Sequence, residues 1–238
     1  MSAIPALRFL TIPALSKHSA TVIFIHGLGD TGHGWQPVAD MIRKDPALAH
    51  VKWILPHSPT RPVTANLGME MPSWFDIYSF GFQTTEDEKG MIESKKLIEQ
   101  VVTDEVNSGT PSERIFLGGF SQGGTMSLLV GLTGERKFAA LAILSSWLPL
   151  RKKFKTMVAP HASSTAIFWG YGSDDSLIGA DLTKQSLEVL ESSGIPRAQE
   201  PGVPGLAVQR YERMGHETNL KELDDLKQFI KKWIPDNA

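Results

Sequence analysis

"IFLGGFSQGGTMSLL", residues 115–129, carries the local pattern from which the rest of the chain is read. Ile115, Phe116 and Leu117 form a short apolar run that ends in Gly118 and Gly119. Phe120, Ser121 and Gln122 follow, then Gly123 and Gly124, then an apolar helix-like stretch that closes at Gly134. Residues 119–123 fit Gly-x-Ser-x-Gly with a strand before and a helix after, the context in which that pattern lifts a nucleophilic serine onto a sharp turn. The serine then sits in a strained backbone conformation, and bulky side chains two positions to either side would collide with it. The same turn aims the helix N-terminus, with its unpaired amides and positive dipole end, at the serine oxygen. The competing reading is a glycine-rich connector in which Ser121 only caps the helix.

Outward from this turn, apolar β-rich runs alternate with amphipathic ones. "TVIFIH" (21–26), "VKWIL" (51–55), "RIFLGG" (114–119), "FAALAILS" (138–145), "TAIFWG" (165–170) and "LAVQRYE" (206–212) read as strands. Between them, "WQPVADMIRK" (35–44) places Trp35, Val38, Ala39 and Ile42 at helical spacing. Thr85 and Glu88 have the form of a capping box, behind which Met91, Ile98, Val101, Val102 and Val106 line one face as far as Gly109. A helix around Leu182, Val189 and Leu190 follows the fifth of these strands. The last helix carries Leu220, Leu223, Leu226, Ile230 and Trp233 as a core-facing stripe. Buried strands alternating with helices predict an α/β fold, a mostly parallel sheet covered on both faces. There is no internal repeat and no linker, so residues 1–238 read as a single domain. The irregular section from Pro56 to Thr84 is long enough to suggest a functional loop.

Composition excludes several classes of function. A hydrophobic content of 41% and a charged content of 21% are those of an ordinary globular protein. A formal net charge of −2 offers nucleic acid or an anionic membrane no electrostatic purchase. With no cysteine, disulfides, thiolate metal sites and thiol catalysis are absent. The first residues, broken by Pro5 and Pro13, lack a signal-peptide core, and no stretch reaches the roughly 20 apolar residues of a membrane helix. A cytoplasmic location is the expectation.

"HGLGDTGHG" (26–34) contains Gly27-x-Gly29-x-x-Gly32 after a strand and so mimics a dinucleotide fingerprint. That fingerprint also needs a carboxylate about 20 positions on, and the following strand ends "WILPHSP" without one.

A serine hydroxyl needs a base, and the base an orienting carboxylate. In doubly wound hydrolases the chain order is Ser, Asp or Glu, then His, each after a strand. Only His161 and His216, of seven histidines, follow Ser121. His161 precedes a strand, at the wrong end of the sheet, whereas His216 follows the last one, which makes His216 the expected base. The carboxylate is then Asp174 or Asp175 in "YGSDDSLIG", and spacing does not separate the two.

Taken together, "VIFIHGLGDTGHGW", "RPVTANLGMEMPSWFDIYSF", "GGFSQGGTMSL", "LSSWLPLR", "GSDDSLI" and "GHE" resemble the acyl-protein thioesterase, lysophospholipase and carboxylesterase family of α/β-hydrolases, over nearly the whole length. The resemblance implies an α/β-hydrolase fold with no large lid domain. It selects Asp175 as the acid, with Ser176 standing where the family usually has proline. It assigns the Leu28 and Gln122 amides to the oxyanion hole, and makes Asp30, His33 and His57 loop-structuring residues. It implies no metal or other cofactor, an acylated protein or lysophospholipid as substrate, at most peripheral membrane contact, and a weak homodimer. Some relatives carry a lipidated N-terminal cysteine, which this chain lacks.

The apolar segments "NLGMEMPSWFDIYSF" and "SWLPL" supply Met69, Met71, Trp74, Phe75, Trp147 and Leu148, with Leu177 and Ile178 nearby. Met71, Trp74, Phe75, Trp147 and Leu177 are the residues expected to line a groove for a long acyl chain. On that expectation Trp74→Ala would cut activity on sixteen-carbon more than on four-carbon substrates. A broad short-chain carboxylesterase and a hydrolase-fold binding protein with a slow triad are the alternatives.

Overall fold

The computed structural model describes residues 6–80, 85–200 and 202–236. Among the described residues nine strands and five α-helices follow one another as β1 (Phe9–Ile12), β2 (Ala20–Ile25), α1 (Gly32–Ile42), β3 (Val51–Pro56), β4 (Thr60–Val63), β5 (Met69–Pro72), α2 (Glu88–Asn107), β6 (Ile115–Phe120), α3 (Gln122–Thr133), β7 (Ala140–Leu144), β8 (Ala166–Gly172), α4 (Ala180–Ser192), β9 (Gly205–Tyr211) and α5 (Leu220–Trp233). Seven strands form one sheet in the order β1-β3-β2-β6-β7-β8-β9. All its pairings are parallel except that of β1 with β3.

The middle strands are continuously apolar because both faces are covered. β2 and β7 are buried at every position. On one face lie α1 and α5, whose Trp35, Ala39, Ile42, Leu223, Leu226 and Ile230 meet Phe24, Phe116 and Phe168. On the other, α2, α3 and α4 cover Ile23, Leu117, Ile143 and Ile167. α3 is buried on every side through Leu132, so the helix behind the serine is fixed rigidly against the sheet.

Several details differ from the sequence-based expectation. α2 is capped by Asp87, whose carboxylate accepts from the Gly90 amide, and not by Thr85. Leu220 is the first residue of α5 and is exposed, so the core stripe of that helix starts at Leu223. The segment 56–84 holds a β4–β5 hairpin, which lacks the clean alternation of a half-buried sheet and carries Pro62 and Pro72. β1, short and at the sheet edge, also left no readable pattern.

Candidate active site

Ser121 stands between β6 and α3 with φ 54° and ψ −121°, a conformation that costs a non-glycine residue about 1–3 kcal/mol. Three hydrogen bonds to its main-chain groups hold it there. Its amide donates to Leu144 O at 2.9 Å, and its carbonyl accepts from the Thr125 amide at 3.1 Å and Ser146 Oγ at 2.8 Å. The flanking glycines have a direct steric reason. A Cβ on Gly119 would lie 2.3 Å from the Gly123 carbonyl carbon, and one on Gly123 would lie 1.9 Å from Ile25 O.

Ser121 Oγ is 3.0 Å from His216 Nε2, and His216 Nδ1 is 2.9 Å from Asp175 Oδ2. An ionised carboxylate only accepts, so Nδ1 carries the proton and Nε2 is left to accept from the serine hydroxyl. The Asp175 side chain is 1% exposed, and its other oxygen accepts from the Leu177 and Ile178 amides at 2.9 and 2.8 Å. The neighbouring Asp174 is exposed and accepts from Ser173 Oγ, so the geometry separates the two candidates that spacing left open.

The loops after β8 and β9 are fastened to one another. The Ser173 amide donates to Tyr211 O, the Asp174 amide to Met214 O and the Arg213 amide to Ser173 Oγ. A Cβ on Gly172 would meet Met214 O at 2.1 Å, which explains the glycine at this crossing. His161 lies elsewhere, with Nε2 3.2 Å from Gly131 O in a short turn before β8.

Gly27 lies against Ser121, its notional Cβ 3.3 Å from Ser121 Cβ. The Gln122 amide opens α3 and has no intrahelical acceptor. The Gln122 side chain has a separate task. Its Oε1 accepts from the Trp74 amide at 3.0 Å and its Nε2 donates to Phe75 O at 2.8 Å, so the loop before α2 is tied to the Ser121 turn. Asp30, His33 and His57 shape the start of α1. Asp30 Oδ1 accepts from the Thr31 amide, His57 Nδ1 accepts from the Gly32 amide at 3.0 Å, and the two imidazoles stand 5.1 Å apart. Burial, with the neighbouring His33 charge, holds His57 below the usual histidine range. Phe120 was not singled out by the motif, yet its ring lies 4.9 Å from the His216 imidazole and braces it.

The residues expected to line an acyl groove are not alike. Trp74, Phe75 and Trp147 are buried in the core, whereas Met71 and Leu177 are half-buried and retain accessible surface. Trp74 is fully enclosed, its indole N–H donating to His26 O at 2.9 Å, so in this conformation it is a tie between loops and not a groove wall. A cavity bordered by Phe75, Ile77, Met91 and Trp147 on one side and Asp76, Glu86 and Asp87 on the other has a volume of about 20 Å³, room for about one water molecule, and is lined by none of Ser121, Asp175 and His216. Among the described residues no cluster of three or more His, Asp or Glu side chains is placed to hold a metal ion.

A serine hydroxyl bonded to an imidazole that is bonded in turn to a buried carboxylate, at the carboxyl edge of a mostly parallel sheet, defines a serine hydrolase of the α/β class. Residues 8–234 match the family model described as Phospholipase/Carboxylesterase, and the chain belongs to that family. It is 42% identical to acyl-protein thioesterase 1 of Cryptococcus neoformans var. neoformans over 94% of this chain and 97% of that protein. With acyl-protein thioesterase 1 of Gibberella zeae the identity is 41%, covering 95% of each. Among solved structures it is similar to Arabidopsis thaliana SOBER1, with a TM-score of 0.82 and 28% identity over 91% of this chain and 99% of that one.

Proposed function

We propose that this protein hydrolyses long-chain acyl thioesters on proteins, and related lysophospholipid and carboxylic esters, through Ser121, His216 and Asp175. The observation that carries the mechanism is the continuous Ser121–His216–Asp175 hydrogen-bonded chain. The names of its relatives, acyl-protein thioesterases, carry the substrate class.

Ser121 Oγ attacks the acyl carbonyl carbon while its proton passes to His216 Nε2. Asp175 keeps the other ring nitrogen protonated and stabilises the imidazolium. The Leu28 and Gln122 amides receive the tetrahedral oxyanion, each worth about 3 kcal/mol in a water-poor site. Collapse breaks the bond to sulfur or oxygen, and His216 returns the proton to the leaving group. Water, deprotonated by His216, then attacks the acyl-enzyme, releasing the fatty acid and restoring the serine. The residues present call for no cofactor in this sequence of steps.

The acyl chain runs over the half-buried surface of Leu28, Met71 and Leu177. At the tip of the β4–β5 hairpin Leu67 is 95% and Met69 59% exposed, apolar surface suited to peripheral contact with the bilayer that holds such substrates. The base of that hairpin is joined to the loop after β2 by a bond from the Gly29 amide to Pro72 O. No helix among the described residues is long and apolar enough to cross a membrane. A cytoplasmic location and a weak homodimer complete the reading.

A short-chain carboxylesterase is the second reading, favoured by the match to a family model described as Phospholipase/Carboxylesterase. Measuring kcat/KM for acyl thioesters and matched oxygen esters from four to sixteen carbons decides between them, with Ser121→Ala as the blank. Each methylene buried contributes about 0.8 kcal/mol, so a long-chain enzyme shows a steep rise with length. A flat or falling profile assigns the short-chain activity instead.

A further inference from the structure

The loop that follows β2 is built around a histidine with no part in the proton relay. His26 is fully buried. Its Nδ1 is 2.7 Å from Gly27 O, and its Nε2 is 3.0 Å from the Ser58 amide nitrogen. A backbone amide only donates, so Nε2 must present a lone pair and the ring proton must sit on Nδ1. Nδ1–H therefore donates to Gly27 O, and the Ser58 amide locks this tautomer. The imidazole is held from two further directions. Its ring lies 5.2 Å from that of Trp74, and the His26 carbonyl accepts the Trp74 indole N–H.

The consequence reaches the reaction centre through one peptide plane. In a trans peptide the carbonyl and the following N–H point in opposite directions. Gly27 O is claimed on its own side by His26 Nδ1–H and by the Asp30 amide at 3.3 Å, so the Leu28 N–H faces the other way. That N–H has no hydrogen-bond acceptor among the described residues. Gly27, at the other end of the plane, lies beside Ser121, close enough that a Cβ on it would stand 3.3 Å from Ser121 Cβ.

We propose that His26 is a positioning residue of the oxyanion hole, whose Nδ1–H fixes the Gly27–Leu28 peptide plane and so aims the Leu28 N–H at the carbonyl attacked by Ser121. This rests on the reading of Leu28 as an oxyanion donor. Burial holds the imidazole below the usual histidine range, so the neutral, donor-plus-acceptor form persists through the neutral pH range. A protonated ring would present a second N–H to the Ser58 amide and release the loop.

The test compares His26→Asn, which keeps a donor near the Nδ1 position, with His26→Phe, which keeps the ring against Trp74 but has no donor. In His26→Phe, kcat on acyl thioesters falls about a hundredfold with KM within threefold, the loss of one oxyanion donor. His26→Asn recovers to within tenfold of wild type. Binding of an acyl trifluoromethyl ketone, which forms a tetrahedral oxyanion on Ser121, weakens in parallel with kcat, while binding of the matching non-hydrolysable thioether is unchanged. Equal activity of the two variants, or equal weakening of ketone and thioether, overturns the proposal. If His26→Phe fails to fold, the ratio of ketone to thioether affinity in His26→Asn and wild type still decides it. Failure of the functional reading itself is distinct, since wild type would then show no Ser121-dependent hydrolysis.

Discussion

The two edges of the sheet each bury a carboxylate among polar partners, and they do opposite things with it. At the amino edge Glu105 is 4% exposed and takes bonds from Thr21, Thr110 and Lys52, with His18 close by. At the carboxyl edge Asp175 is equally enclosed, but the chain it begins runs outward through His216, 21% exposed, to a serine hydroxyl. Around Glu105 the Thr21, Thr110 and Lys52 donors converge on the two carboxylate oxygens, and the cluster stabilises the fold. Around Ser121 the Leu28 and Gln122 amides and the serine oxygen retain unused bonding capacity. A buried polar group with nothing left to offer is structural, and one held rigidly with capacity to spare is where chemistry can happen.

The sharpest way to break this contrast is Ser121→Ala. Thioester and ester hydrolysis should fall by about 10⁴-fold or more, with thermal stability unchanged or raised because alanine lacks the polar group but not the strained φ. Residual turnover above about one per cent would remove Ser121 as nucleophile.

Glu105→Ala should do the reverse. It leaves Lys52 and two threonines without their acceptor and costs about 3 kcal/mol of stability in urea unfolding, with kcat within twofold. Burial pushes the Glu105 carboxyl up, but the bonds from Lys52, Thr21 and Thr110 outweigh it and hold the folded value below the ordinary one. The carboxylate's contribution is therefore complete above the unfolded-state value and is lost as pH falls through the folded one. The stability gap between wild type and Glu105→Gln should shrink over that acid range. A gap independent of pH would contradict the assignment.

Trp74→Phe keeps an aromatic ring at this enclosed position and removes the indole donor to His26 O together with part of the bulk. A tenfold loss of kcat/KM is expected, the same for four-carbon and sixteen-carbon substrates, because the tie serves the reaction centre and not the chain. A loss confined to long chains would return Trp74 to the groove. Leu177→Ala should show the smallest effect and the opposite pattern, about fivefold on sixteen-carbon substrates and none on four-carbon ones.

Much of this protein was legible without coordinates because local rules govern it. Strand–Gly-x-Ser-x-Gly–helix is a contiguous pattern, and chain order left His216 as the histidine after the last strand. The interior strands β2 and β7 announce themselves as unbroken apolar runs because both their faces are buried. Where neighbours in sequence compete, the pattern stops deciding. Asp87 displaced Thr85 as the cap of α2, and Leu220 matched the helical stripe yet faces outward because α5 has only begun there.

Contacts between residues far apart in the chain follow from packing alone. The enclosure of Trp74, its bond to His26, the grip of the Gln122 side chain on the loop before α2 and the clasp of Ser58 on the His26 ring join segments 32 to 48 positions apart. No periodicity or spacing encodes such pairs, since each becomes visible only when strands distant in sequence are laid side by side. The order of residues along the chain pointed to Ser121, His216 and Asp174 or Asp175 as candidates, because strand-to-loop patterns are local. Packing determined how the peptide planes and rings around them are aimed, because hydrogen-bond direction is a property of three-dimensional neighbours and not of order along the chain.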